Sequence, residues 1–180
     1  MGSFQKANVM SLLKIVTYPD VFLKQPTKAV ENIDGTLQDL IKNMSETMYH
    51  APGVGLAAIQ VGVDKSMLIY DVAPKDEERQ LTVLINPKII SAEGDIISED
   101  EGCLSVPDFR ANIKRSERIL VEAIDQHGNP LRFEADGYLA IVLQHEIDHL
   151  NGTLFIDRVS SLKRQMYNRR IQKQLRNQSA

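Results

Sequence analysis

Residues 145–149 read His145-Glu146-Ile147-Asp148-His149 and follow the apolar run Tyr138-Leu139-Ala140-Ile141-Val142-Leu143. No other stretch restricts the fold as strongly. Two histidines four apart on a helix lie on one face, with Cβ atoms roughly 5–6 Å apart. An apolar helix carrying two histidines and two acids must find partners for those polar groups. One metal ion held by both imidazoles meets that need, and the carboxylate beside the first histidine can then take a proton from a water at the metal. The segment stops at Asn151-Gly152, a helix C-terminus signal. The string therefore predicts a metal-binding helix and a metallohydrolase.

At 180 residues the chain suits one compact domain, with residues 10–180 as a single catalytic domain and residues 1–9, polar and patternless, as a flexible extension ahead of Met10. No apolar stretch approaches the ~20 residues that span a bilayer, and the N-terminus lacks the apolar core of a signal peptide. Cys103 is the sole cysteine, so no internal disulfide forms, as in a reducing compartment. The expectation is a cytoplasmic protein without a membrane partner.

The net charge of −3 hides an asymmetry. Residues 1–157 carry 14 Lys+Arg against 24 Asp+Glu, whereas residues 158–180 carry seven basic residues and no acid. A basic tail on an acidic body suits a polyanion such as RNA, and it equally suits a solvated helix face.

Apolar positions Leu37, Leu40, Ile41, Met44 and Met48 predict a helix from about Asp34 to His50, ended by Pro52-Gly53. Residues 53–60 form a small-residue loop leading to a strand at Ser66–Val72. Leu81–Ile85, Lys88–Ser91 and Ile119–Asp125 also have strand character, and the turn His127-Gly128-Asn129-Pro130 pairs Ile119–Asp125 with Leu131–Ala135 as a hairpin. A loop at 101–107 follows the acidic run Asp95–Asp100, Phe155-Ile156 is strand-like, and a basic helix spans 160–177. Local strand pairing with segregated helices argues for α+β.

Zinc-type catalytic sites take three protein ligands and leave one position open. After His149 the chain has no His, Cys or Glu, and Asp157 is the one carboxylate side chain, so the third ligand is expected upstream. His50, His127, Cys103 and several acids are the candidates.

Three segments, Gly53-Val54-Gly55-Leu56-Ala57-Ala58-Ile59-Gln60, Glu101-Gly102-Cys103-Leu104-Ser105-Val106-Pro107 and Gln144-His145-Glu146-Ile147-Asp148-His149-Leu150, together resemble the three signature motifs of the peptide deformylases, in the same order. The resemblance covers nearly the whole chain from Met10. It implies an α+β fold with antiparallel sheets packed around the central metal-binding helix, plus a C-terminal helix. It also implies removal of the formyl group from the N-terminal formyl-methionine of new polypeptides.

Carried over residue by residue, the resemblance makes Cys103, His145 and His149 the metal ligands and Glu146 the proton carrier. It assigns the Gln60 side-chain amide and the Leu104 backbone N–H to the oxyanion. Gly53 and Gly55 would let the peptide backbone approach closely, with Gly55 on the substrate-binding strand edge. Val54, Tyr138, Ile141 and Val142 would line the methionine pocket, Tyr138 standing where the family carries leucine, and Arg110 would meet carbonyls further along the substrate. A thiolate with two imidazoles suits Fe(II), Zn(II), Ni(II) or Co(II), and the family implies Fe(II). The basic helix resembles the extension through which bacterial deformylases contact the ribosome. Two other readings use the same helix: a zinc peptidase with a different third ligand, and a structural metal site in a ribosome-binding module.

Overall fold

A computed structural model describes residues 12–178 of the chain; the expected extension at 1–9 lies outside the described residues. Helix α1 (Gly35–His50) starts where the Asp34 side chain accepts from the Leu37 N–H at 3.0 Å, an N-cap that satisfies one of the helix's free donors. Strands β1 (Gly55–Ala57), β2 (Met67–Tyr70), β3 (Thr82–Glu93), β6 (Arg118–Ile124) and β7 (Pro130–Asp136) form one antiparallel sheet in that order. Strands β4 (Ile96–Cys103) and β5 (Val106–Arg115) make a separate hairpin. Helix α2 (Gly137–Leu150) carries the two histidines, and α3 (Ser161–Gln178) closes the described chain.

Alternation along β2 shows how the layers stack. Met67 and Ile69 join Leu37, Ile41, Met44 and Met48 of α1, whereas Leu68 joins Ala140, Leu143, Ile147 and Leu150 of α2. Successive strand residues point to opposite faces, so the sheet lies between the two helices here. All four residues of β2 are buried. Each apolar side chain taken fully from water contributes about 1.5–3 kcal/mol, which makes this layer the anchor of α2. A third cluster, with Val106, Ile113, Phe155, Ile156, Tyr167 and Ile171, joins the β4–β5 hairpin to α3.

The expected helices and the β6–β7 hairpin are present, and four expectations change in detail. The runs at 81–85 and 88–91 are one strand, β3, because the turn-forming Asn86-Pro87 is absorbed as a bulge. Asn86 sits at φ 52°, and its side chain accepts from the Val30 N–H at 2.8 Å and donates to the Val30 carbonyl at 2.9 Å. The small-residue segment at 53–60 is not a loop but β1 followed by a 3-10 turn at Ala58–Val61. The segment at 101–107 is the tip of the hairpin, with Cys103 opposite Val106. Phe155-Ile156 belongs to a 3-10 turn, Phe155–Arg158, where the Asp157 carboxylate accepts from the Leu154 N–H at 2.9 Å and winds the backbone.

After α2 the chain reverses at Gly152, at φ +73°. A Cβ there would lie 2.5 Å from the Lys24 carbonyl oxygen, so the turn requires glycine. That reversal brings Leu154–Ile156 under the hairpin and fixes the C-terminal end of the histidine helix.

Candidate metal centre and active site

The histidine helix and the hairpin tip meet in one place. The ligand atoms of Cys103, His145 and His149 all lie within 4.8 Å of one another. Cys103 Sγ is 3.1 Å from His149 Nε2, and the imidazole rings stand 5.0 Å apart, edge to face. Of the candidate third ligands, Cys103 is brought to the histidines; His50 and His127 are not in the cluster. Soft thiolate and imidazole donors in a compact trio fit a first-row transition metal and not magnesium or calcium.

Orientation comes from the surrounding network. His145 Nδ1 is 2.7 Å from Glu101 Oε1, so the Nδ1–H donates to the carboxylate and, in the neutral ring, Nε2 is left free for a metal. Glu101 is held in turn by Arg115, through Nη2 at 2.5 Å and Nε at 3.2 Å. Arg115 Nη1 also donates to Asp148 at 2.7 Å, and Arg158 binds the same carboxylate from outside at 2.6 and 2.7 Å. Burial alone would raise the Glu101 carboxyl, but the hydrogen bonds from His145 and Arg115 outweigh it and hold it at about 2. Burial would lower His145, and its bonds to Cys103 and Glu101 carry it well above the usual histidine value instead. His149, buried without a carboxylate partner and beside His145, is pushed well below that value, into the neutral form that ligates.

Glu146 faces the same cavity. Burial pushes its carboxyl up to about 7, and its Oε2 atom, like His149 Nδ1, is buried with no hydrogen-bond partner among the described residues. An unpaired buried carboxylate oxygen costs about 1–3 kcal/mol, a penalty expected where a proton must be moved. Strand β1 presses against this acid: a Cβ on Gly55 would lie 2.5 Å from Glu146 Oε1. The glycine is there for contact, not for its turn geometry.

Gln60 is 1% exposed, in the 3-10 turn after β1. Its Oε1 accepts from the Ala57 N–H at 2.8 Å, which turns its amide nitrogen toward Ser105 Oγ at 3.2 Å and Cys103 Sγ at 3.6 Å. The donor end of the amide thus points at the cluster. Leu104 follows Cys103 in the two-residue tip of the hairpin.

A cavity of about 500 Å³ opens from this cluster, lined by Gly53, Val54, Gly55, Gln60, Cys103, Leu104, Arg110, Tyr138, Ile141, Val142, His145 and Glu146. His149, 1% exposed, is not among the lining residues and meets the site through its place in the cluster. Every other expected site residue borders the cavity. Arg110 is already engaged, donating to the Asp100 carbonyl at 3.1 Å. Glu101 and Arg115 orient His145 and were not singled out by motif reading. Glu101 stood in a quoted motif and carried a signal; Arg115 carried none, because its partners lie 14 and 33 positions away. Phe109, whose ring packs 5.6 Å from Phe155, also lines the cavity and was not anticipated.

Residues 12–165 match the sequence model of the family described as Polypeptide deformylase. A peptide deformylase of Desulfosudis oleivorans is 52% identical over 93% of this chain and 96% of its own length. Among solved structures, a peptide deformylase from Legionella pneumophila is 44% identical with a TM-score of 0.85, covering 94% of this chain and 98% of that one. One from Ehrlichia chaffeensis in complex with actinonin is 41% identical with a TM-score of 0.85, covering 92% and 98%.

Proposed function

Because the chain belongs to the polypeptide deformylase family, whose members remove the formyl group from the N-terminal formyl-methionine of new polypeptides and release formate, we propose a role for each residue of the site. Cys103, His145 and His149 hold one divalent metal, Fe(II) in the cell, with Zn(II), Ni(II) and Co(II) able to take the same position. When bound, the metal lowers the pKa of a water and polarises the formyl oxygen. The remaining steps belong to side chains of this chain. Residues 10–180 act together as one catalytic domain.

Glu146 takes the proton from the attacking water and returns it to the departing methionine nitrogen. A carboxyl at about 7 does both near neutral pH, being basic enough to accept and acidic enough to donate. The negative charge that grows on the formyl oxygen is met by the Gln60 amide N–H and the Leu104 backbone N–H. The Ala57 N–H fixes the other end of the Gln60 amide and keeps its nitrogen turned toward the cluster. The peptide backbone adds to the free edge of β1 at Gly55, with Gly53 leaving room beside it. Val54, Tyr138, Ile141 and Val142 take the methionine side chain, and Arg110 meets carbonyls beyond it. The close approach of Gly55 to Glu146 leaves space there for a formyl hydrogen and not for a larger acyl group.

The enzyme works in the cytoplasm on chains leaving the ribosome, which α3 contacts through its basic face; no described helix is long and apolar enough to cross a membrane. One observation carries the assignment: the buried, unpartnered Glu146 oxygen stands beside a Cys103–His145–His149 cluster. The test is formate release from a formyl-methionyl peptide, measured with metal content under anaerobic conditions. Glu146→Ala should lower kcat by about 10²–10⁴ while retaining metal. Unchanged turnover would remove Glu146 from proton transfer, and cleavage of unformylated peptides would point to a peptidase.

A further inference from the structure

Strand β1 is three residues long and, among the described residues, pairs with β2 alone, yet it must hold its position to a few tenths of an ångström, since Gly55 already touches Glu146. Its C-terminal end is tied by the Ala57 N–H to Gln60. The N-terminal end is tied by the Asp71 N–H, which donates to the Val54 carbonyl at 2.9 Å. Antiparallel pairing alternates sides, so with Val54 bonded toward β2 the N–H and C=O of Gly55 face the free edge.

Asp71 is buried, and its carboxylate is fully used. It accepts from the Tyr49 hydroxyl at 2.7 Å, the Ala73 N–H at 3.0 Å and the Gln80 N–H at 2.9 Å. Tyr49 lies in the last turn of α1, and the Arg79 guanidinium sits 4.0 Å over its ring. The three side chains knot segment 71–80 to the end of α1, just before the chain turns at Gly53, whose N–H is bonded to the Met48 carbonyl at 2.9 Å. Both strands of the β1–β2 pair are thereby referred to one fixed point. None of the three lines the cavity.

We infer that Tyr49, Asp71 and Arg79 are positioning residues that set the β1 edge at the height where a formyl-peptide backbone pairs with it. This rests on the reading that substrate adds to that edge. Loosening the knot acts on the Val54 end of β1 and weakens extended substrates; the Ala57–Gln60 tie lies at the other end of the strand, and Glu146 and the ligand cluster stand on α2 and the hairpin, so the reacting centre keeps its geometry.

The experiment compares wild type, Tyr49→Phe and Asp71→Asn, metal-loaded, on formyl-methionine amide, a formyl-methionyl tripeptide, and tripeptides methylated singly at the second or third backbone nitrogen. Wild type should show a raised KM on at least one methylated analogue; equal use of all three tripeptides would end the edge reading, and this proposal with it. Given that loss, both variants should raise KM for the unmethylated tripeptide about five- to tenfold, the loss expected for one hydrogen bond. Their kcat should stay within twofold and their KM for formyl-methionine amide should not change. A fall in melting temperature with unchanged KM, or equal changes on the amide and the tripeptide, would overturn the positioning role while sparing the edge reading.

Discussion

Helices α2 and α3 are of similar length and carry their charges in opposite ways. Eight of the fourteen residues of α2 are buried, and His145, Glu146 and His149 are among them. In α3 the described buried residues are Tyr167 and Ile171, and its Lys and Arg side chains meet mostly water. A charge in the interior is tolerated only with partners, so each polar side chain of α2 reports a specific neighbour or a specific task. A charge in water costs little, so those of α3 report only a general field. The two helices therefore call for different tests: single substitutions for α2, summed charge for α3.

The largest effect on stability is expected at Arg115, which is 3% exposed and serves both Glu101 and Asp148. Arg115→Met leaves two carboxylates short of a partner and should cost about 3–5 kcal/mol in chemical denaturation. A cost below about 1 kcal/mol would show that α2 tolerates unpaired charge as α3 does, and the contrast would fail. Neutralising Lys163, Arg164, Arg169, Lys173 and Arg176 together should change stability by no more than about 0.5 kcal/mol and leave formate release from a short peptide unaltered. Ribosome pelleting at low salt should fall; equal pelleting of both forms would remove the ribosome contact from α3.

A smaller effect separates the anchored side of α3 from its exposed side. The Tyr167 hydroxyl donates to the Pro107 carbonyl at 2.9 Å, and burial pushes it up to about 12 from an ordinary 10. A group raised on folding contributes stability that is complete below its unfolded value and disappears as pH climbs through the folded one. The melting temperature should therefore decline between pH 10 and 12 more steeply in wild type than in Tyr167→Phe. Parallel curves would place no anchor there.

Much of this contrast was legible in the sequence, for a physical reason. Helical period and His-x-x-x-His spacing are local, and the charge asymmetry of residues 158–180 needs only counting. The hairpin β4–β5 was not legible. Its strands carry exposed acids at Glu99 and Asp100 and a left-handed Asp108, so they lack clean alternation, and they fold as strands because they pair with each other over the third core. Arg115 looks like any surface arginine until the fold brings Glu101 and Asp148 to it. Cys103 shows the boundary: as a lone residue it was one candidate among several, and only the motif around it, then the 3.1 Å approach to His149, set it apart.

The most direct test is anaerobic titration of metal-free protein with Fe(II), following bound metal and formate release from a formyl-methionyl peptide together. Wild type should saturate both signals at one equivalent, and Cys103→Ala should lose the tight equivalent and the formate signal together. Full activity in Cys103→Ala, or formate release that rises without metal uptake, would contradict a centre built from Cys103, His145 and His149.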